Sequence, residues 1–367
     1  MANELIQSVL EMLYYDEKMR PNYPALTSAA LVCRAWRNPA QQLLFRNVEL
    51  STPLDLKHLG YFLSVTSPSC PRGLDLASLV RQVDLILTYT QDPQILVQLV
   101  SRCHRLYDVT LRVVGVHALD DDTLEGLRQA HTASMPTPIR SLSLMMCGVQ
   151  SPLLYQLLSV WPTIRFPRLG AELAAPLPAQ PTQVQLYELI LHRTLPPRVM
   201  EWLLRSSVNS LRIFDCHAAP STEYDPLVAQ FSENLLSLRL FRHMQRSMAL
   251  IRRCPNLREL VITQLSSFLP LGELPMTLEH LSFRSLSTVT TIPLTPIISA
   301  VDKLPRLRLL TCDASTEQNP DFAVLREKCE KKGIFISSGL RPIPMVSVVS
   351  IAPDTVCNTH MGSLRIL

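Results

Sequence analysis

Glycine and lysine are the scarce residues of this chain. Only 10 of its 367 residues are glycine, and no lysine stands between Lys57 and Lys303, so that 29 of 35 basic residues are arginine. The few glycines form no G-x-G-x-x-G fingerprint, no phosphate-cradling G-x-x-x-x-G-K-[ST] loop and no G-x-S-x-G elbow, and H-E-x-x-H is missing as well. The formal charge of +4 comes without lysine-rich blocks or an aromatic-interleaved basic run, so nucleic acid is not expected as a partner. No window reaches the roughly 18 uninterrupted apolar residues of a membrane span, and MANELIQSVL lacks a basic leader and long apolar run. Both absences point to the cytoplasm or nucleus. Nine cysteines, an odd number, lie scattered from Cys33 to Cys357 with no C-x-x-C and no Cys/His pairing at zinc spacing. They read as reduced, buried small hydrophobes. Neither metal nor cofactor is expected.

One acidic run imitates a catalytic site, Asp120-Asp121-Asp122 with Glu125. Helix starts favour acidic residues, which makes this the first turn of a helix through Leu124 and Leu127. The alternative, a metal site, needs converging oxygens from elsewhere in the chain. With no catalytic constellation the chain does not read as an enzyme, and its function must lie in its surfaces.

What the chain has in abundance is leucine at regular spacing. A six-residue pattern, apolar-x-x-apolar-x-apolar, recurs as Val80/Val83/Leu85, Leu106/Val109/Leu111, Ile139/Leu142/Leu144, Trp161/Ile164/Phe166 and Leu186/Leu189/Leu191. It continues as Val208/Leu211/Ile213, Leu235/Leu238/Leu240, Leu257/Leu260/Ile262, Leu278/Leu281/Phe283 and Leu307/Leu310/Cys312. Starts are 21 to 33 residues apart, and helical runs lie between many of them, among them 95–103, 153–160, 199–204, 247–254 and 297–304. A unit of one strand and one helix cannot bury its own leucines, so neighbours must stack and share a core. The pattern resembles a degenerate leucine-rich repeat, which implies an α/β fold, a curved solenoid with parallel strands on its concave face. A doubly wound α/β sheet is the alternative, disfavoured by the lack of a glycine-rich strand-to-helix turn.

The N-terminal fifty residues differ. Leu5, Ile6, Val9, Leu10 and Leu13 make one helical stripe; Pro21 and Pro24 break the chain; a second helix is expected from Thr27 or Ser28 through Trp36; and Asn38-Pro39 suits the start of a third. ELIQSVLEML, then LVCRAWR, then PAQQLLF resembles the F-box family, although Ala2-Asn3 replaces the usual Leu-Pro. The resemblance implies a three-helix adaptor domain that docks on the Skp adaptor, and through it a cullin, by Leu5, Ile6, Val9, Leu10, Leu31, Val32, Cys33 and Trp36. A small helical bundle with these residues as its core is the plainer alternative.

These readings divide the chain into an F-box-like domain (1–50), a linker and capping unit (51–79), a leucine-rich repeat solenoid (80–339) and an irregular tail (340–367). The function expected is substrate recognition for a Skp–cullin–F-box ubiquitin ligase; a leucine-rich repeat scaffold with no ligase link is the alternative. Strand alternation is expected to turn Asp84, Thr110, Ser143, Arg165, Ile190, Arg212, Arg239, Val261, Ser282 and Thr311 onto the concave face. Arg165, Arg212 and Arg239, with His280 and Arg284, would then form a partner-binding patch for an unknown protein substrate, acidic or phosphorylated, because guanidinium forks match both anions. Pairing of these arginines with Glu188 and Asp215 for solubility is the alternative.

Overall fold

The computed structural model describes residues 2–15, 21–50, 56–132, 139–216, 221–242, 244–265, 271, 274–284 and 293–338. The expected irregular tail therefore lies outside the described residues. The chain forms two compact units, Met1–Val184 and Gln185–Leu367, and both are α/β with parallel strands.

The first unit opens with three helices, α1 (Ala2–Leu13), α2 (Tyr23–Val32) and α3 (Arg34–Leu44). Their boundaries differ from the sequence expectation, and proline is the reason. Pro24 starts α2 instead of breaking the chain: it sits in the first turn, where a missing N–H is not needed, and the Asn22 side chain accepts from Ala25 N at 3.2 Å to cap the helix. Pro39 begins no helix. It lies inside α3, where the Ala35 carbonyl forgoes its partner. The break falls instead at Cys33, whose extended backbone (φ −165°, ψ 173°) caps α3 through a carbonyl that accepts from Trp36 N and Arg37 N at 3.2 and 3.1 Å. Trp36 thus belongs to the third helix, not the second.

The chain then alternates strands and helices: β1 (Asn47–Leu50), α4 (Leu56–Val65), α5 (Gly73–Leu79), β2 (Gln82–Thr88), α6 (Gln94–Arg102), β3 (Asp108–Val114), α7 (Asp121–Thr132), β4 (Ser141–Met145), α8 (Leu153–Val160) and β5 (Phe166–Leu169). Adjacent strands pair in parallel in sequence order, β1 with β2 through β4 with β5. In-register rows such as Leu85, Leu111, Leu144 and Leu169 are buried, each leucine contributing about 1.5–3 kcal/mol on leaving water. The first strand, inside the stretch expected to be helical, was not legible: NVEL is too short to show a period.

The second unit repeats the scheme with β6 (Glu188–Leu191), α9 (Pro197–Leu204), β7 (Ile213–Cys216), α10 (Asp225–Phe231), β8 (Ser237–Arg242), α11 (Gln245–Arg252), β9 (Glu259–Gln264), β10 (His280–Phe283), α12 (Thr295–Lys303), β11 (Leu309–Cys312), α13 (Phe322–Lys331) and β12 (Phe335–Ser338). Leu189, Phe214, Leu238, Leu260, Leu281 and Leu310 form its central buried row. No described helix is long and apolar enough to cross a membrane.

Register corrects the spacing argument at two strands. Phe214, not Leu211, pairs with core residues Leu189 and Leu238, and Pro167, not Ile164, pairs with Leu142. Both slips are of three residues, an odd number, and so exchange the two faces of the strand just as a slip of one would. Arg168 and Asp215 therefore take the outward positions expected of Arg165 and Arg212.

Candidate functional site

Three surfaces carry the residues that the sequence singles out. In the helical segment, Leu10, Tyr14, Leu26, Ala29, Ala40 and Leu43 form a closed core, with Ile6 and Trp36 packed half-buried against it. Leu10 is 0% exposed, so it holds the bundle together and cannot meet a partner. The other expected docking residues stand outside. Leu5 is 68%, Val9 42%, Leu31 82% and Val32 65% exposed, and Cys33 is exposed too. Met12 and Leu13, exposed as well, extend the stripe of Leu5 and Val9 along α1 at helical spacing. The bundle is fixed to the first strand: the Tyr23 hydroxyl donates to the Asn47 carbonyl at 2.9 Å, and the Arg46 guanidinium lies 5.7 Å from the centre of the Tyr14 ring.

The second surface is the sheet face opposite the helices in the second unit. Here the register aligns Ile190, Asp215, Arg239, Val261, Ser282 and Thr311. Arg239 from β8 reaches Glu259 of β9 (Nε to Oε1, 3.0 Å) and, across β7, Glu188 of β6 (Nη1 to Oε1, 3.4 Å). All three side chains are buried. Burial lowers the arginine pKa, but the charges of Glu259, Glu188 and Asp215 outweigh it, so the group stays cationic with its pKa raised. His280 is 0% exposed, its Nε2 sharing a hydrogen bond of 2.9 Å with Thr311 Oγ1. Burial, with Arg239 second, pushes its pKa down to about 3. Arg284 follows β10, half-buried. The structure thus brings Arg239, His280 and Arg284 to one face, but in the company of Glu188, Asp215 and Glu259, so the face is not an arginine patch. Pairing with Glu188 is the outcome for Arg239. In the first unit the same face carries a bidentate Arg112–Asp84 pair (3.1 and 2.9 Å) and a buried Gln82–Asp108 hydrogen bond of 3.1 Å.

Arg165 and Arg212 stand elsewhere, on the row just before each strand begins. In the first unit that row reads Arg46, Arg81, Tyr107, Arg140, Arg165. Each backbone N–H donates to the preceding carbonyl: Arg81 to Arg46 at 3.0 Å, Tyr107 to Arg81 at 3.0 Å, Arg140 to Tyr107 at 2.9 Å and Arg165 to Arg140 at 2.8 Å. The repeat spacing alone could have revealed this row, since an arginine falls just before the same strand position again and again.

The remaining candidates are structural. Asp120 caps α7, accepting from Thr123 N at 2.7 Å and Thr123 Oγ1 at 3.0 Å, and those two bonds hold its carboxyl below the usual range. Burial pushes the Cys103 and Cys254 thiols up to about 12, which makes them packing groups and not nucleophiles. Among the described residues no group of three or more histidine, cysteine or acidic side chains could hold a metal ion. The chain matches no protein-family model, and no curated protein matches its sequence.

Proposed function

We propose that this protein is a substrate-recognition adaptor of a Skp–cullin–F-box ubiquitin ligase: an F-box-like helical segment docks on the Skp adaptor, and a degenerate leucine-rich repeat solenoid holds the protein to be modified. One observation carries the reading. Leu5, Val9, Met12 and Leu13 on α1 and Leu31 and Val32 at the end of α2 are exposed, although the core behind them is already closed. A small bundle that existed only to cap a sheet would gain about 25 cal/mol for every Å² of apolar surface it covered, and exposed apolar groups of this kind mark interaction sites. The positions also coincide with Leu5, Val9, Leu31 and Val32 of the F-box resemblance.

The test is co-purification of the full chain with recombinant Skp adaptor, in wild type and in the Leu31→Glu/Val32→Glu variant. The wild type should retain the adaptor and the variant should lose it with its helical circular dichroism intact. Absence of binding by the folded wild type would leave the scaffold reading in its place.

A further inference from the structure

The arginines before the strands of the first unit form a continuous row. Its five rungs, Arg46, Arg81, Tyr107, Arg140 and Arg165, are tied edge to edge by backbone hydrogen bonds, so neighbours are about 4.8 Å apart and the whole row spans about 19 Å. Arg105 joins it, its carbonyl accepting from Arg81 Nη1 at 3.4 Å. Among the described residues none of Arg46, Arg81, Arg105, Arg140 and Arg165 makes an ion pair, whereas on the sheet face of the same unit Arg112 is paired with Asp84. Like charges so close repel. The effect is legible at Arg81, whose pKa is lowered first by burial and then by Arg105 and Arg46. In the second unit the corresponding row reads Tyr187, Arg212, Leu236, Arg258, Glu279 and Arg308, and there Glu279 lies 3.8 Å from Arg258, so its charge is partly answered from within.

We propose that this ridge binds an extended protein segment rich in aspartate and glutamate, lying across the strands at their amino ends. The row offers a guanidinium at four of its five rungs, Tyr107 holding the fifth. Such a line suits single negative charges spread along a chain better than one phosphate, which is held by several donors converging on it. At about 3.3 Å per residue an extended segment of about six residues matches the span. A nucleic acid strand would want aromatic platforms for its bases, and the row holds only Tyr107, half-buried. The inference rests on the reading of the repeats as the recognition region and names its partner's chemistry; it does not depend on the ligase link.

The test is fluorescence anisotropy with the full chain and three labelled probes of equal net charge: a glutamate- and aspartate-rich peptide, a phosphoserine peptide with neutral flanks, and a single-stranded oligothymidine. The acidic peptide should bind most tightly, with an affinity that falls as salt rises. Arg81→Gln/Arg140→Gln/Arg165→Gln should weaken it about tenfold or more. Arg128→Gln/Arg198→Gln/Arg205→Gln removes the same charge from exposed helix positions and its flank and should bind like wild type. Equal binding by the two triple variants would overturn the proposal, as would tighter binding of the phosphopeptide or the oligonucleotide. Adaptor co-purification, run on the same ridge variant, should be unchanged; its failure in wild type with peptide binding intact removes the ligase reading alone.

Discussion

Acidification should loosen the strands of the second unit through one side chain, His280. The imidazole is fully buried on β10, with Arg239 and Glu259 facing it from β8 and β9 and Thr311 from β11. Its pKa is about 3 in the folded chain against an ordinary 6.5. As pH falls below about 6.5 the unfolded chain takes up a proton that the folded chain refuses, so the contribution to stability is complete above that pH and lost progressively toward pH 3. At about 1.36 kcal/mol per pKa unit, the loss reaches about 2 kcal/mol by pH 5 and about 3 kcal/mol by pH 4. The assay is amide hydrogen exchange of β9 to β11, corrected for the intrinsic pH dependence of exchange, in wild type and His280→Gln. Glutamine can keep a hydrogen bond to Thr311 but cannot titrate. Wild-type protection should fall about 30-fold more than the variant's between about pH 7.5 and pH 5. Equal pH slopes in the two proteins would refute the argument.

Three further outcomes follow from packing and charge. Arg239→Met should cost about 3–5 kcal/mol in urea unfolding, because it removes the countercharge of the fully buried Glu259 carboxylate, and Arg239→Met/Glu259→Leu should recover part of that loss. Leu10→Ala should destabilise the helical segment by about 2–5 kcal/mol, while Leu31→Ala, 82% exposed, should stay within about 0.5 kcal/mol; thermal melts of both distinguish core from docking face. Gly115 has φ +76° and a Cβ there would lie 2.9 Å from Tyr89 Cδ1, so Gly115→Ala should lower thermal stability by about 1 kcal/mol or more.

The alternation of strand and helix was legible because each repeat prints its period in leucines. The helix 153–160 is found as α8, and the strands at Leu142/Leu144 and Leu238/Leu240 fall where the pattern puts them. Register was not legible where two frames of the pattern overlap three residues apart. Trp161/Ile164/Phe166 and Ile164/Pro167/Leu169 both fit at the first strand, Val208/Leu211/Ile213 and Leu211/Phe214/Cys216 both fit at the second, and only pairing with Leu142 and Leu189 chooses. That ambiguity moved Arg165 and Arg212 off the sheet face and onto the strand-entry row. Proline misled for a related reason: Pro24 and Pro39 look alike as breakers, yet the Asn22 cap lets Pro24 open α2 and the extended Cys33 lets α3 start before Pro39. The division after Val184 left no sign in the spacing, since the repeat pattern runs on at Leu186 without a pause.

Titration calorimetry of the purified full chain against purified Skp adaptor tests the central claim most directly. The account predicts saturable binding that buries apolar surface, with one adaptor per chain, a negative heat-capacity change and loss of the heat in Leu31→Glu/Val32→Glu. A folded wild-type chain that gives no heat and retains no adaptor, or a variant that binds as wild type does, would contradict it.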